Sequence, residues 1–270
     1  MKRPPRPPNA RPKLKGVSVK VLVLVLSMEK APFVELEATQ RVTWAGDDVP
    51  CAPVSFYSGR VSGSAYWFAR GLIWCACVAP PGRSRLLRRF GAHTWNLRED
   101  GVQWRLSIPD LWALINAKTV AVFRHALGAH DFDYVFRTNS SSYVDRAALL
   151  RWVHGLPRSK CYAGSVHEWE GISVVSGSGV LLSRDLVRAC VDDPSWNFGV
   201  MDDVAIAQSM RSRGIEPIHH PRIDACEPAD LEAEVLQGIF HVRCKNRQDR
   251  TDDVRTMLRA RVLFNQASPL

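Results

Sequence analysis

VSVKVLVLVLSMEK, residues 17–30, decides the fold. Residues 17–26 are apolar at nearly every position and rich in β-branched valine. A strand solvated on one side alternates apolar and polar residues. A run with both faces apolar reads as a central parallel strand covered on both sides. The polar turn Ser27-Met28-Glu29-Lys30 leaves its carboxyl end, where open α/β sheets bind their ligands.

Outward from this strand, helices and strands alternate. Residues 33–41 read as a helix and residues 54–57 as a second strand. Ser107-Ile108-Pro109-Asp110 carries a Ser cap, a first-turn Pro and a capping-box acid, so a helix is expected to start there. Apolar residues at 108, 111, 112, 115, 119, 122, 123 and 126 would continue it. Residues 132–136 form another strand, and Asp145 opens a helix to Val153. Residues 172–182 are strand-like, interrupted by Ser176-Gly177-Ser178-Gly179. Ser183 caps a helix to Val191, and Asp202 and Asp203 open one that stops before Gly214. This alternation predicts a mostly parallel sheet flanked by helices. Between Gly59 and Gly82, Tyr66, Trp67, Phe68 and Trp74 cluster with Gly and Arg; a strand pair in the core is expected, with an exposed aromatic loop as the alternative.

The chain has 270 residues, 46% hydrophobic and 23% charged, enough for one large α/β domain over residues 17–270. Residues 1–16 are basic and hold five prolines, the composition of a disordered tail. The longest apolar run, residues 21–26, is far short of the roughly 20 residues of a membrane helix. With no apolar stretch in the tail, the expected location is cytoplasmic. Seven cysteines without metal-site spacing suit buried thiols. The net charge of +9 makes polyphosphate or nucleic acid plausible partners, though the clusters at residues 2–11 and 83–89 also suit a solvated face. No G-x-G-x-x-G follows the first strand, which disfavours a dinucleotide-binding dehydrogenase.

Five segments, in order, resemble the β1,3-galactosyltransferase and Fringe-like glycosyltransferases of the GT-A fold. They are residues 21–27 with Arg41-Val42-Thr43-Trp44; Asp110-Leu111 with Ala117-Lys118-Thr119; Phe132-Asp133-Tyr134-Val135-Phe136-Arg137; residues 176–187, SGSGVLLSRDLV; and Met201-Asp202-Asp203-Val204 with Gly214-Ile215. The resemblance implies a GT-A (Rossmann-like) α/β fold and transfer of a sugar from a nucleoside-diphosphate donor, UDP-linked, to a hydroxyl with inversion. It places Ser27, Arg41, Thr43, Lys118, Arg137, Asn139, Ser140 and Ser141 at the donor, and Gly177, Ser178 and Gly179 at the acceptor.

The match departs at one place. Where such enzymes carry the acidic Asp-x-Asp motif, this chain has Asn139-Ser140-Ser141. Neutral oxygens hold Mg²⁺ or Mn²⁺ far less tightly than carboxylates do. Three readings stay open: an ion weakly held by Asn139, Ser141, His241 and the diphosphate; a dispensable ion, with cationic side chains stabilising the leaving group; or a chain without activity. The triplet is also an N-glycosylation sequon, harmful inside a nucleotide site exposed to a secretory glycosylation system.

Asp203, ahead of Asp202, is the candidate general base, a role that contributes about 10²–10⁴-fold; both also suit ordinary helix N-terminal acids. Gly177 and Gly179 would let backbone approach a sugar, or mark a bulge. His241 is the histidine placed to ligate metal or to sit satisfied in the core; His219 and His220 are weaker candidates. Arg137, Arg243 and Lys245 could meet phosphate oxygens. The acceptor is a glycan or, given the basic charge, a 5-hydroxymethylpyrimidine in DNA, reached at the major-groove edge or by base flipping. The competing class is a non-catalytic nucleotide-sugar or nucleic-acid binding protein derived from a glycosyltransferase.

Overall fold

A computed structural model describes residues 19–77, 86–89, 95–233 and 236–267. The basic tail at 1–16 and Arg83 and Arg85 of the arginine cluster lie outside the described residues. An eight-stranded sheet has the order β3-β4-β2-β1-β5-β8-β7-β9. Its strands are β1 (Val21–Leu26), β2 (Val54–Arg60), β3 (Leu97–Asp100), β4 (Gln103–Pro109), β5 (Tyr134–Asn139), β7 (Tyr162–Trp169), β8 (Ile172–Ser183) and β9 (Ile218–His219). The sheet is mixed, with parallel pairs in the majority: β4–β2, β2–β1, β1–β5 and β7–β9 are parallel, and β3–β4, β5–β8 and β8–β7 antiparallel.

Strand β1 is the centre the sequence points to. Leu22 and Leu24 enter the core on one face, and Val21, Val23 and Val25 the core on the other. All five are buried, each contributing about 1.5–3 kcal/mol relative to exposure. An Asp at Val23 would strand a charge between the layers. Around the sheet lie α1 (Phe33–Gln40), α2 (Ser64–Cys77), α3 (Ile115–Ala129), α4 (Arg146–Val153), α5 (Arg184–Val191), α6 (Asp202–Arg211) and α7 (Thr251–Ala267). The chain runs from β1 to β2 and β4 on one side, then returns through α3 to β5 on the other. The strand order therefore reverses between β1 and β5, the place where open α/β sheets leave a crevice.

A second, three-stranded sheet pairs β10 (Ile223–Ala225), β11 (His241–Cys244) and β6 (Ser142–Val144). β6 follows β5 after one tight turn, and Arg243 of β11 stands opposite Ser142. This pairing brings a basic segment 100 positions away onto the turn that ends β5.

Two expectations are corrected. Ser107 to Pro109 is the end of strand β4, because β2 offers partners as far as Arg60, which aligns with Pro109 and accepts from the Asp110 amide. Tertiary pairing overrides a good local capping signal, and α3 starts at Ile115 with no side-chain cap. The aromatic segment after Gly59 is helix α2 in place of a core strand pair or a loop. Trp67 and Phe68 on it are exposed, at 61% and 68%, while Ala69 is buried.

Candidate functional site

The end of β1 and the end of β5 lie side by side, Leu26 aligned with Asn139. They floor a cleft of about 320 Å³, within the ~300–1,000 Å³ range of small-molecule sites. Most of the expected donor and catalytic residues line it. Ser27 follows β1, Arg137 and Asn139 come from β5, and Ser140 and Ser141 from its turn. Lys118 comes from α3, Gly177 and Ser178 from β8, and Asp202 and Asp203 from the first turn of α6.

The two aspartates have different surroundings. Asp202 is buried: its Oδ2 lies 2.5 Å from Arg137 Nη2 and accepts from Thr119 Oγ1 at 2.7 Å. Arg137 donates its remaining groups to the Gly177 carbonyl and, at 3.2 Å, to the Tyr57 hydroxyl. Burial disfavours the Arg137 charge, yet Asp202 and then Tyr57 hold its pKa above the usual guanidinium range. Each of its three nitrogens meets a protein acceptor, so Arg137 is a strut between β5, β8 and α6 at the edge of the cleft. Burial, opposed in part by Arg137, raises the Tyr57 pKa as well.

Asp203 is half-buried and borders the cleft. Its Oδ2 accepts from the Gly177 amide and its Oδ1 from the Val204 amide, both at 2.9 Å. No cation pairs with it among the described residues, so the carboxylate keeps lone pairs directed by two backbone amides and free of an ion pair. A Cβ at Gly177 would stand 2.8 Å from Asp203 Oδ2 and 3.2 Å from Arg137 Nη1, so the bare backbone is what admits both groups.

Lys118 is committed too. Its ammonium pairs with Asp110, whose other oxygen accepts from the Gly59 amide at 3.1 Å. Both side chains are buried, and the pair latches the end of β4 to α3.

The Asn139–Ser141 turn does not suit a divalent ion. Asn139 Oδ1 accepts from the Ser141 amide at 3.0 Å, closing the turn on itself. Ser141 Oγ accepts from Arg250 Nη2 at 2.8 Å, so a guanidinium already stands against the turn. His241 lies off the cleft: it is buried, its Nε2 3.1 Å from Ser142 Oγ. Burial, then Arg222 and Arg243, push its pKa well below the usual histidine value. Its ring fills the space a Cβ at Gly179 would need, 2.5 Å from Cε1, so Gly179 serves this packing. The Ser178 hydroxyl is engaged by Arg222 and by Ser176. Arg41 and Thr43 are not in the cleft. Arg41 pairs with Glu37 at 2.7 Å and stacks over Phe56, and Thr43 Oγ1 bonds back to the Thr39 carbonyl. His219 Nδ1 accepts from the Val166 amide at 3.2 Å, and buried His220 packs against Trp152 and Phe240.

What the sequence did not single out is Arg250, which joins Arg243 and Lys245 on one wall. Burial and then Arg222 depress the Arg243 pKa; burial and then Arg243 and Arg250 depress that of Lys245. Arg250 pairs with Asp253 at 2.5 Å and Arg243 lies 3.7 Å from Asp224. Lys245 makes no ion pair among the described residues, and Arg243 Nε is buried without a hydrogen-bond partner. Ser27 Oγ, just past the end of β1, is also buried and unpartnered. The capping box and heptad-like signals that sequence reading relies on do not register Arg250, because its partner Ser141 is 109 positions away.

Away from the cleft, Glu99, His125 and His130 bring ligand atoms within 4.8 Å of one another and could hold a metal ion. No helix among the described residues is long and apolar enough to cross a membrane.

No protein-family model matches the chain, and no curated protein sequence does. Among solved structures it is similar to a glycosyltransferase involved in the glycosylation of the major capsid of PBCV-1, at 12% identity and a TM-score of 0.40, over 76% of this chain and 98% of that one.

Proposed function

We propose that this chain transfers a sugar from a nucleoside-diphosphate donor, with uridine as the expected nucleoside, to an acceptor hydroxyl. The observation that carries the reading is the division of the cleft into a cationic wall and one unpaired carboxylate. Arg243, Lys245 and Arg250 face a diphosphate, while Asp203 faces the space in front of it. Ser27 and Met28 after β1, with Phe33 at the start of α1, supply a polar group and apolar surface for the nucleoside. The ordered resemblance of five sequence segments to Fringe-like transferases supports the same reaction.

In this scheme the acceptor hydroxyl gives its proton to Asp203 as its oxygen bonds to the anomeric carbon. The bond from that carbon to the β-phosphate oxygen breaks, and its electron pair leaves with the diphosphate. Loss of the diphosphate is assisted by fixed cations, which need no reorganisation as charge develops. Arg250 occupies the turn where the resemblance would put an ion, so cationic stabilisation is preferred over a metal held by Asn139, Ser141 and His241.

Calorimetry with UDP, GDP and dTDP, followed by UDP release from a panel of UDP-sugars, tests the reading. Binding of none of the three at millimolar concentration would sink it. Tight binding with no turnover, even by hydrolysis, would favour the binding-protein alternative.

A further inference from the structure

A second recess of about 410 Å³ adjoins the donor cleft. Trp112, Ile115, Met201 and Asp203 border both. Beyond them its walls combine apolar and aromatic surface, with Trp169 and Phe198 the largest members, and the polar side chains of Asn116, His167 and Glu170. Trp112 and Trp169 are exposed, at 63% and 49%, although tryptophan is among the costliest side chains to leave in water. The charge contrast with the cleft is sharp. Among the described residues no Lys or Arg lines this recess, while Asp203 and Glu170 do.

We infer that this groove seats a neutral carbohydrate acceptor, its ring faces stacked on Trp112 and Trp169 and one hydroxyl delivered to Asp203. The inference rests on the transferase reading and assigns its acceptor class. A sugar ring presents apolar C–H faces and polar edges, which suits flat aromatic surface beside a few polar groups. A DNA acceptor would bring phosphates to a wall that holds two acids and no cation. Electrostatic contact with phosphates supplies most non-specific DNA affinity, and this surface offers none. Arg88 and Arg89 are exposed near Leu87, but neither lines the groove. The exposed aromatics of α2, Trp67 and Phe68, line neither recess.

The full chain is assayed with UDP-glucose, UDP-galactose and UDP-N-acetylglucosamine against neutral methyl glycosides and oligosaccharides, and against a 5-hydroxymethylcytosine duplex. Transfer to at least one neutral glycoside is expected. Trp169→Ala should raise that acceptor's KM about ten-fold, equivalent to about 1.4 kcal/mol of lost stacking, and leave the Kd of UDP unchanged. Trp169→Phe should restore most of the affinity. UDP binding with transfer confined to the duplex, with no transfer to any glycoside, or with a KM indifferent to Trp169→Ala overturns the inference and spares the donor site. Failure to bind any nucleoside diphosphate overturns the function beneath it.

A separate observation carries a second inference. His125 lies in the last turns of α3, His130 caps its end, and Glu99 comes from β3. Both Nε2 atoms lie on one carboxylate oxygen, at 2.5 Å and 2.6 Å. Trp104 fixes the rings, stacked on His130 at 4.8 Å and edge-on to His125 at 5.1 Å. Two imidazoles and a carboxylate form a donor set that suits Zn²⁺. We infer that these three residues bind a zinc-like ion that ties the edge hairpin β3–β4 to α3. On α3 the cleft-lining Lys118 precedes both histidines, and at ~1.5 Å of rise per residue the helix sets their end about 10 Å or more from the cleft, so the ion's role is structural.

Zinc chloride titrated into chelator-treated full chain should bind at one equivalent and raise the melting temperature. His125→Ala/His130→Ala should lose both effects, and Glu99→Gln should weaken binding while keeping the native circular dichroism. No stoichiometric binding, or equal binding by the double variant, overturns the assignment.

Discussion

Arg250 Nη2 stands 2.8 Å from Ser141 Oγ, a guanidinium docked on a turn of neutral oxygens. Its Nε is held 2.5 Å from Asp253 and its plane lies toward the Phe33 ring, so the charge is placed by α7. If this cation serves the diphosphate, transfer should proceed in excess chelator. Arg250→Ala should lower kcat/KM about 10²-fold, the scale of losing one preorganised donor, and added Mn²⁺ should restore little. Full dependence on Mn²⁺ would return the metal reading to first place.

Asp203→Asn should reduce kcat by at least about 10²-fold with the Kd of UDP unchanged, as expected on losing a general base. Steady-state kinetics beside calorimetry reads both quantities. Asp202→Asn should behave differently. It leaves the buried Arg137 guanidinium without its counter-charge, which costs about 3–5 kcal/mol. Urea melts should show the loss as reduced stability, and equal stability in the two variants would mean the roles are misassigned.

Gly177→Ala puts a methyl where Asp203 and Arg137 meet. At 2.8 Å from Asp203 Oδ2 it forces that carboxylate to shift, and misplacement by about 1 Å can cost about 10²-fold in rate. A fall in kcat at nearly constant melting temperature is expected. Activity equal to wild type would show that Asp203 needs no fixed position.

His241 makes the stability of the fold depend on pH. In the folded chain burial holds it neutral, with its pKa well below 6.5, and burial lowers that of His220 in the same direction. The unfolded chain takes up these protons near pH 6.5, so acid favours unfolding. Stability should be fully present above that pH and fall as pH drops through 6.5, by up to about 1.4 kcal/mol per unit per histidine. His241→Gln should flatten the slope in denaturant titrations between pH 7 and 5. An unchanged slope would mean that His241 is protonated in the native state.

Much of this was legible in the sequence where local pattern and tertiary role coincide. The unbroken apolar run of β1 can only be a doubly covered strand, and Asp145, whose side chain accepts from the Ala148 amide, caps α4 as its residue type suggests. The paired Asp202 and Asp203 were visible as candidates, and their division of labour was not. That division depends on Arg137 crossing from β5 to one carboxylate and Gly177 from β8 to the other. The Ser107-Ile108-Pro109-Asp110 signal misled because strand pairing with β2 outweighs a cap. Residues 64–77 resisted reading because aromatic side chains and Gly71 blur the helical period. The cationic wall was hidden because β6–β11 pairing, a contact between distant segments, assembles it.

The alignment of Leu26 with Asn139 has a kinetic meaning for the site. The Ser140 amide donates to the Leu26 carbonyl at 3.1 Å, so the cleft floor belongs to the same ladder as the central strands. Amides in such a ladder exchange with solvent only through the largest openings of a domain. Slow exchange is therefore expected of the cleft floor, and under the proposed function adaptation to different donors falls to the wall that β11 and α7 bring over it.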